Sequence, residues 1–399
     1  MRSRVPLRWV AMAVFVLSSS LNYMDRLLLA AAAPLLKHDF QLTNRDYGLI
    51  LSAVSIAYAI SAPLMGLFLD RVGLNLGVSL AVGFWSIAGA ATGLVRNFGQ
   101  LVGSRVTLSA WQAAGIPSTG KASALYLESK ELALGAGLNQ LGLSIGGIAA
   151  PLVMGLLAPR YGWRSAFFVC GTAGFVWIPA WLWMARRTPR QLVSANARQF
   201  AVGDLLRDQR FWGLMAATVF AMTIYTLWSN WTTLYFVESR GMTQGEANRR
   251  FAWIPPLFAT LGGLGGGALA YRWIRRGVDV LRARLRVCLL SALFILLTAG
   301  VPLMPSPGWA AAAISVSYFW SACLSANLYV MPIDLFGPGR AAFGVAALTF
   351  SYGLMQAFAS PAIGGLVDRF GFASVCGGVA MLPLVAVAIL RFAVVPARA

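Results

Sequence analysis

The chain has 399 residues, of which 58% are hydrophobic and 11% charged, against about 25% charged in an ordinary soluble domain. That balance excludes a soluble globular protein. A single histidine, His38, and four cysteines without paired spacing (Cys170, Cys288, Cys323 and Cys376) give no basis for a metal centre, a disulfide framework or a cofactor.

Apolar segments of about 20 residues, long enough to cross a hydrocarbon core of about 30 Å as helices, recur along the whole chain. Twelve spans are expected, over residues 7–36, 46–69, 74–95, 100–127, 132–158, 165–185, 212–237, 251–273, 286–304, 309–335, 342–367 and 373–393. The first follows Arg2, Arg4 and Arg8 and has the outline of a secretory signal. Asn22, Asp25 and Arg26 interrupt its apolar core, and many spans follow it, so it is read as a span.

Ionisable residues at membrane depth cost between about 2.5 and 17 kcal/mol and mark pathways, relays or binding sites. On a helix of 100° per residue, Ser18, Asn22, Asp25, Arg26 and Leu29 share a broad stripe of the first span. In the fourth span Arg105 and Gln112 lie seven residues apart, on one face and about two turns apart. Arg26 and Arg105 are therefore expected to face one cavity. A guanidinium grips a carboxylate with two parallel hydrogen bonds and stays charged throughout, which suits an organic anion. Asp25 is the candidate proton site, since a carboxyl's charge state depends on both burial and neighbouring cations. The alternative is a permanent ion pair of Asp25 with Arg26 or Arg105.

Asp70 and Arg71, at the inner edge of the second span, read as a gating latch. Lys121 is as suited to snorkelling to the interface as to touching a ligand. The seventh span carries Tyr225, Trp228, Asn230 and Trp231, the tenth Tyr318, Ser325 and Asn327, and the eleventh Thr349, Tyr352 and Gln356. Aromatic faces with amides and hydroxyls suit a polyol acid; core packing and interface belts are the competing reading. Asn327 is the strongest of these candidates, because an amide in hydrocarbon needs a partner.

The net charge of +19 comes from 32 Lys and Arg against 13 Asp and Glu. The bases cluster before the first span, over Arg186 to Arg210, over Arg272 to Arg286, and after Arg391. By the positive-inside rule these regions are cytoplasmic, so both termini lie inside and the charge implies no nucleic-acid partner. The basic stretch divides the spans six and six, giving an N-terminal bundle over 1–186, a linker over 187–210 and a C-terminal bundle over 211–399. Internal echoes support the repeat: "GLLAPRYGW" from Gly155 matches "GGLVDRFGF" from Gly364, and "GLFLDRVG" from Gly66 aligns with "GALAYRWI" from Gly267. Glycine-rich runs such as "GLGGGALA" and "GLSIGGIAAP" suit close helix packing.

"GLFLDRVG" resembles the signature loop of the major facilitator superfamily, although Leu74 and Asn75 replace the bases usual after the second glycine. "NYMDR", "IPSTGKASALYL", "VESRGMT", "FAWIPPL" and "MPIDLF" are similar to the hexuronate branch of its anion:cation symporter family. The resemblance covers nearly the whole chain. It implies an all-α fold of two pseudo-symmetric six-helix bundles in a bacterial inner membrane, and no enzyme activity. It also implies proton-driven uptake of a sugar acid or related carboxylate by a monomer, through alternating access. Where these symporters commonly carry a glutamate in the fourth span, "WQAAGIP" places Gln112, which cannot exchange a proton. One-proton electroneutral symport of a monoanion, or facilitated diffusion without a proton, is the expectation. A drug/proton antiporter and a non-transporting nutrient sensor remain as competitors. The fifth span lacks the Gly-Pro and paired glycines that mark the former, and the chain has no long soluble tail of the kind common in the latter.

Overall fold

The computed structural model of the chain describes residues 7–128, 131–188 and 205–395, and every regular element among them is a helix. Arg2, Arg4 and Arg398, with the part of the expected linker that carries Arg190 and Arg198, lie outside the described residues. Nine helical stretches among the described residues are long and apolar enough to cross a membrane. Simple spans are α1 (Leu7–Phe40), α2 (Asn44–Val72), α3 (Leu74–Thr92), α6 (Leu132–Tyr161) and α7 (Trp163–Arg187), with α4 (Phe98–Gln112) and α5 (Gly115–Tyr126) forming one broken span. Beyond them, α8 (Gln209–Ala221), α9 (Thr223–Asn230) and α10 (Thr232–Arg240) run as one interrupted span, and α11 (Gln244–Ala247) leads through a π turn into α12 (Ile254–Arg275). The remaining elements are α13 (Val280–Ile295) with α14 (Leu297–Gly300), then α15 (Pro307–Phe336) and α16 (Pro338–Ile389). Gly371 takes φ 72° and ψ 176° inside α16 and divides it into two spans. Counting the broken spans once and α16 twice gives the twelve membrane crossings of an all-α integral membrane protein.

The breaks follow from local chemistry. Pro117 has no N–H to offer the Ala113 carbonyl, so the helix stops at Gln112 and restarts at Gly115. The sequence echo has a conformational counterpart. Gly162 (φ 77°) and Gly371 (φ 72°) occupy the same place in "GLLAPRYGW" and "GGLVDRFGF", in a backbone region that is essentially reserved for glycine. The second echo diverges: Gly73 turns the chain at φ 86°, whereas its counterpart is Ile274 and the turn falls at Gly277 (φ 82°).

The chain forms two compact units. The first comprises Met1–Leu42, Ile50–Ala195 and Thr243–Trp253; the second comprises Thr43–Leu49, Asn196–Met242 and Ile254–Ala399. In the first, an aromatic core stacks Trp177 on Trp181 at 5.8 Å, with Phe15 against Trp181 at 5.2 Å. The glycine-rich runs act as close contacts there: a methyl on Gly146 of α6 would overlap the Ser20 carbonyl of α1, and one on Gly171 of α7 would overlap the Ala90 backbone of α3. The Ala31 carbonyl, next to the helix-disrupting Pro34, accepts from Gln244 Nε2 and Asn248 Nδ2, each at 2.9 Å. In the second unit, a methyl on Gly262 would overlap the Phe319 carbonyl, so α12 and α15 touch backbone to backbone. The Asp368 carboxylate accepts from the Asn44 and Arg45 N–H groups at 3.0 and 2.9 Å and so caps the start of α2. Large apolar side chains such as Ile60, Leu64 and Val176 point outward, as lipid requires. All four cysteines are buried free thiols.

Candidate functional site

The first unit contains a cavity of about 250 Å³ whose lining includes Asn22, Arg26, Tyr58, Trp85, Gln112 and Asn139. Arg26 is half-buried and is the single charged residue in that lining. Its guanidinium lies over the Tyr58 ring, 4.7 Å from the centroid. No carboxylate pairs with it among the described residues. A cation–π contact holds the guanidinium without neutralising it, so its charge is left for an anion.

Asn22 and Gln112 clasp α1 to the broken fourth span. Because the helix ends at Gln112, that residue's carbonyl has no regular helical donor, and Asn22 Nδ2 donates to it at 3.2 Å. In return Gln112 Nε2 donates to the Asn22 carbonyl at 3.0 Å. Gly115 permits this approach, since a methyl there would come within 3.2 Å of Asn22 Nδ2. On another wall Ser19 Oγ donates to Asn139 Oδ1 at 2.6 Å.

Asp25 and Arg105 are not among the residues that line this cavity. Arg105 is fully buried, donates through Nη2 to the Asp25 backbone carbonyl at 2.8 Å, and lies over the Phe167 ring at 5.7 Å. The Asp25 carboxyl packs toward Gly89 of α3 and feels Arg105 as its principal cation. Adjacent positions on a helix point about 100° apart, so Arg26 faces the cavity while Asp25 faces α3 and α4. The structure thus separates the two arginines that the helical wheel had set on one cavity.

At the end of α2, Asp70 pairs with Lys121 at 2.7 Å, and Lys121 also donates to the Leu69 carbonyl at 2.8 Å; Arg71 is exposed. In the second unit, Tyr225 meets Tyr318 at 4.9 Å and Tyr352 at 6.4 Å between ring centroids. Gln356 is buried on the same helix as Tyr352. Other candidates there make contacts within the unit. Asn327 Nδ2 donates to the Gly266 and Cys323 carbonyls at 3.1 and 2.9 Å, tying α12 to α15. Asn230 Nδ2 donates to the Thr226 carbonyl at 3.1 Å, and Trp228 packs fully buried with its edge on Tyr235. An amide at membrane depth needs a partner, and for Asn327 the backbone supplies it. Arg284 pairs with Asp334, a partly exposed charge pair that sequence reasoning did not single out.

Tyr58, Trp85 and Asn139 were also missed. The signal for Asn139 was available, because "NQ" at 139–140 puts two amides in a glycine-rich apolar span. Tyr58 and Trp85 carry no such mark, since an aromatic in an apolar helix reads as packing.

The Major Facilitator Superfamily model matches residues 15–360. Over 405 aligned residues the chain is 29% identical to the hexuronate transporter of Escherichia coli (strain K12), covering 96% of this chain and 93% of the relative. It is 27% identical to the galacturonate transporter of Dickeya chrysanthemi over 344 residues, covering 82% of this chain and 97% of the relative. Among solved structures, an inward-facing, unoccupied bacterial homologue of the human lysosomal transporter Spinster shares its fold, with a TM-score of 0.77 at 18% identity over 98% of this chain and 96% of that one. With twelve spans, an internal repeat and a family match over most of its length, this chain belongs to the Major Facilitator Superfamily, a family of membrane transporters and not of enzymes.

Proposed function

We propose that the protein imports a sugar acid of the uronate or aldonate kind, or a closely related carboxylate, across the bacterial inner membrane. The observation that carries this reading is Arg26: a guanidinium held by Tyr58, without a carboxylate partner among the described residues, in a cavity otherwise lined by neutral groups. A carboxylate answers such a group with paired, charge-assisted hydrogen bonds. The amides and hydroxyls around it suit the polyol remainder. The hexuronate and galacturonate carriers among the relatives support the same substrate class.

Asp25, beside Arg105 and within the same helix as Arg26, is the proton site in this reading. Binding the anion at Arg26 changes the charge balance that Asp25 experiences, which links carboxylate and proton. Halves over 1–186 and 211–399 exchange access to the site, with Asp70 and Arg71 at the gate, Tyr225, Tyr352 and Gln356 as second-half contacts, and both termini cytoplasmic. A monomer suffices. Gln112 favours a second version: its amide is held in a hydrogen bond and does not titrate, so facilitated diffusion of the anion needs no proton at all.

Uptake of labelled D-galacturonate into proteoliposomes tests this. One proton per monoanion moves no net charge, so an inward pH gradient drives accumulation by about 1.4 kcal/mol per pH unit and a membrane potential at equal pH does not. Accumulation under an inside-positive potential at equal pH, with none under a pH gradient alone, selects facilitated diffusion, because the anion crossing by itself carries a net charge worth about 2.3 kcal/mol per 100 mV. Absence of saturable uptake of any sugar acid refutes the assignment.

A further inference from the structure

The clasp between Asn22 and Gln112 fixes which way each amide faces. Nδ2 of Asn22 donates to the Gln112 carbonyl and Nε2 of Gln112 donates to the Asn22 carbonyl. A carbonyl only accepts, so each amide must turn its nitrogen toward the clasp and its oxygen away from it. Neither Asn22 Oδ1 nor Gln112 Oε1 has a hydrogen-bond partner among the described residues, and both side chains line the cavity. Two acceptor oxygens on this wall welcome hydroxyl protons and repel a carboxylate.

A second observation points the same way. Arg26 is the one charged residue among those lining the cavity. One carboxylate engages it; a second carboxylate on the same skeleton would enter a cavity with no further cation in its lining and with two amide oxygens on its wall, an unpaired buried charge.

The geometry points to a selectivity filter for hydroxylated monocarboxylates against dicarboxylates of the same carbon skeleton, with Asn22 Oδ1 and Gln112 Oε1 as the discriminating groups. This rests on the reading of Arg26 as the carboxylate-binding group. Within it, Gln112 is a specificity residue, and a clasp that looks purely structural sets the polarity of the wall.

The purified full-length protein in nanodiscs, titrated at pH 7 with D-galactonate, galactarate and galactitol, tests the proposal. The expected result is D-galactonate binding at least tenfold tighter than galactarate, with galactitol weaker than D-galactonate. Galactarate binding as tightly as galactonate, while Arg26→Gln abolishes both, overturns the filter and leaves the carboxylate reading standing. No binding of either acid overturns both. Gln112→Lys removes the acceptor oxygen and brings a cation to the same wall of the cavity. In that variant the preference for galactonate over galactarate should shrink to less than threefold; an unchanged ratio refutes the role given to Gln112 Oε1. The ligand series on the unmutated chain decides the selectivity whether or not that variant folds.

Discussion

On the proposed function, Arg26→Gln and Arg105→Gln should separate an arginine that binds the ligand from one that holds Asp25, although both remove a guanidinium at membrane depth. Arg26 touches the Tyr58 ring at 4.7 Å and has no carboxylate partner among the described residues, so its loss forfeits a cation–π contact of about 0.5–2 kcal/mol and strands no acid. Its loss should remove the paired hydrogen bonds to the bound carboxylate, worth about 2–5 kcal/mol when one partner of a buried charged pair is truncated. At about 1.4 kcal/mol per tenfold, that weakens the affinity for D-galacturonate by between about 30-fold and several thousandfold. Arg105 is fully buried, holds the Asp25 carbonyl at 2.8 Å, and is the cation beside the Asp25 carboxyl. Removing it leaves a buried acid uncompensated, at a cost of about 3–5 kcal/mol. Thermal denaturation of the two purified variants, followed by titration with D-galacturonate, gives the comparison. Arg26→Gln should melt near the unmutated protein and fail to bind; Arg105→Gln should melt well below it. An Arg26→Gln variant that binds within threefold of the unmutated protein would refute the assignment of the carboxylate to that side chain.

Gly146→Ala drives a methyl into the Ser20 carbonyl and forces α1 away from α6; overpacking of this kind costs about 1–3 kcal/mol, and a denaturation midpoint equal to the unmutated one would contradict the backbone contact. Lys121→Ala removes a half-exposed pair with Asp70 and a hydrogen bond to the Leu69 carbonyl, together worth about 0–2 kcal/mol. Its D-galacturonate affinity should stay within twofold of the unmutated value, and a loss comparable to that of Arg26→Gln would move the anion site toward the end of α2.

How much of this was legible in the chain depends on whether the signal is local. Hydropathy over about 20 residues is a property of consecutive side chains, so the crossings read directly, including α4–α5 and α12, whose apolar character is weaker. The echo that contains Gly162 and Gly371 was legible for the same reason, being a match of consecutive residues, whereas the backbone requirement these glycines answer showed only in the structure. Asp25, Arg26, Asn22, Arg105 and Gln112 stood out because polar groups in lipid demand an explanation. Their partners did not, because a partner is a matter of which helices meet. Tyr58 lies 32 positions beyond Arg26 and Asn139 lies 120 beyond Ser19, and no periodicity within one helix connects them.

From its sequence alone the protein is a twelve-span membrane chain with a polar stripe in its first helix and a glutamine where a titratable acid would serve proton exchange. Burial of polar groups in hydrocarbon costs too much for such residues to stand there without partners or ligand. Only the tertiary structure decides which of them answer to each other. The Gln112 carbonyl at the break before Pro117 takes the Asn22 nitrogen, the Asn22 carbonyl of α1 takes the Gln112 nitrogen, and α3 and α4 enclose Asp25 with Arg105. Arg26, one position along the same helix, is left facing the cavity, because a rotation of about 100° per residue carries neighbours onto different faces.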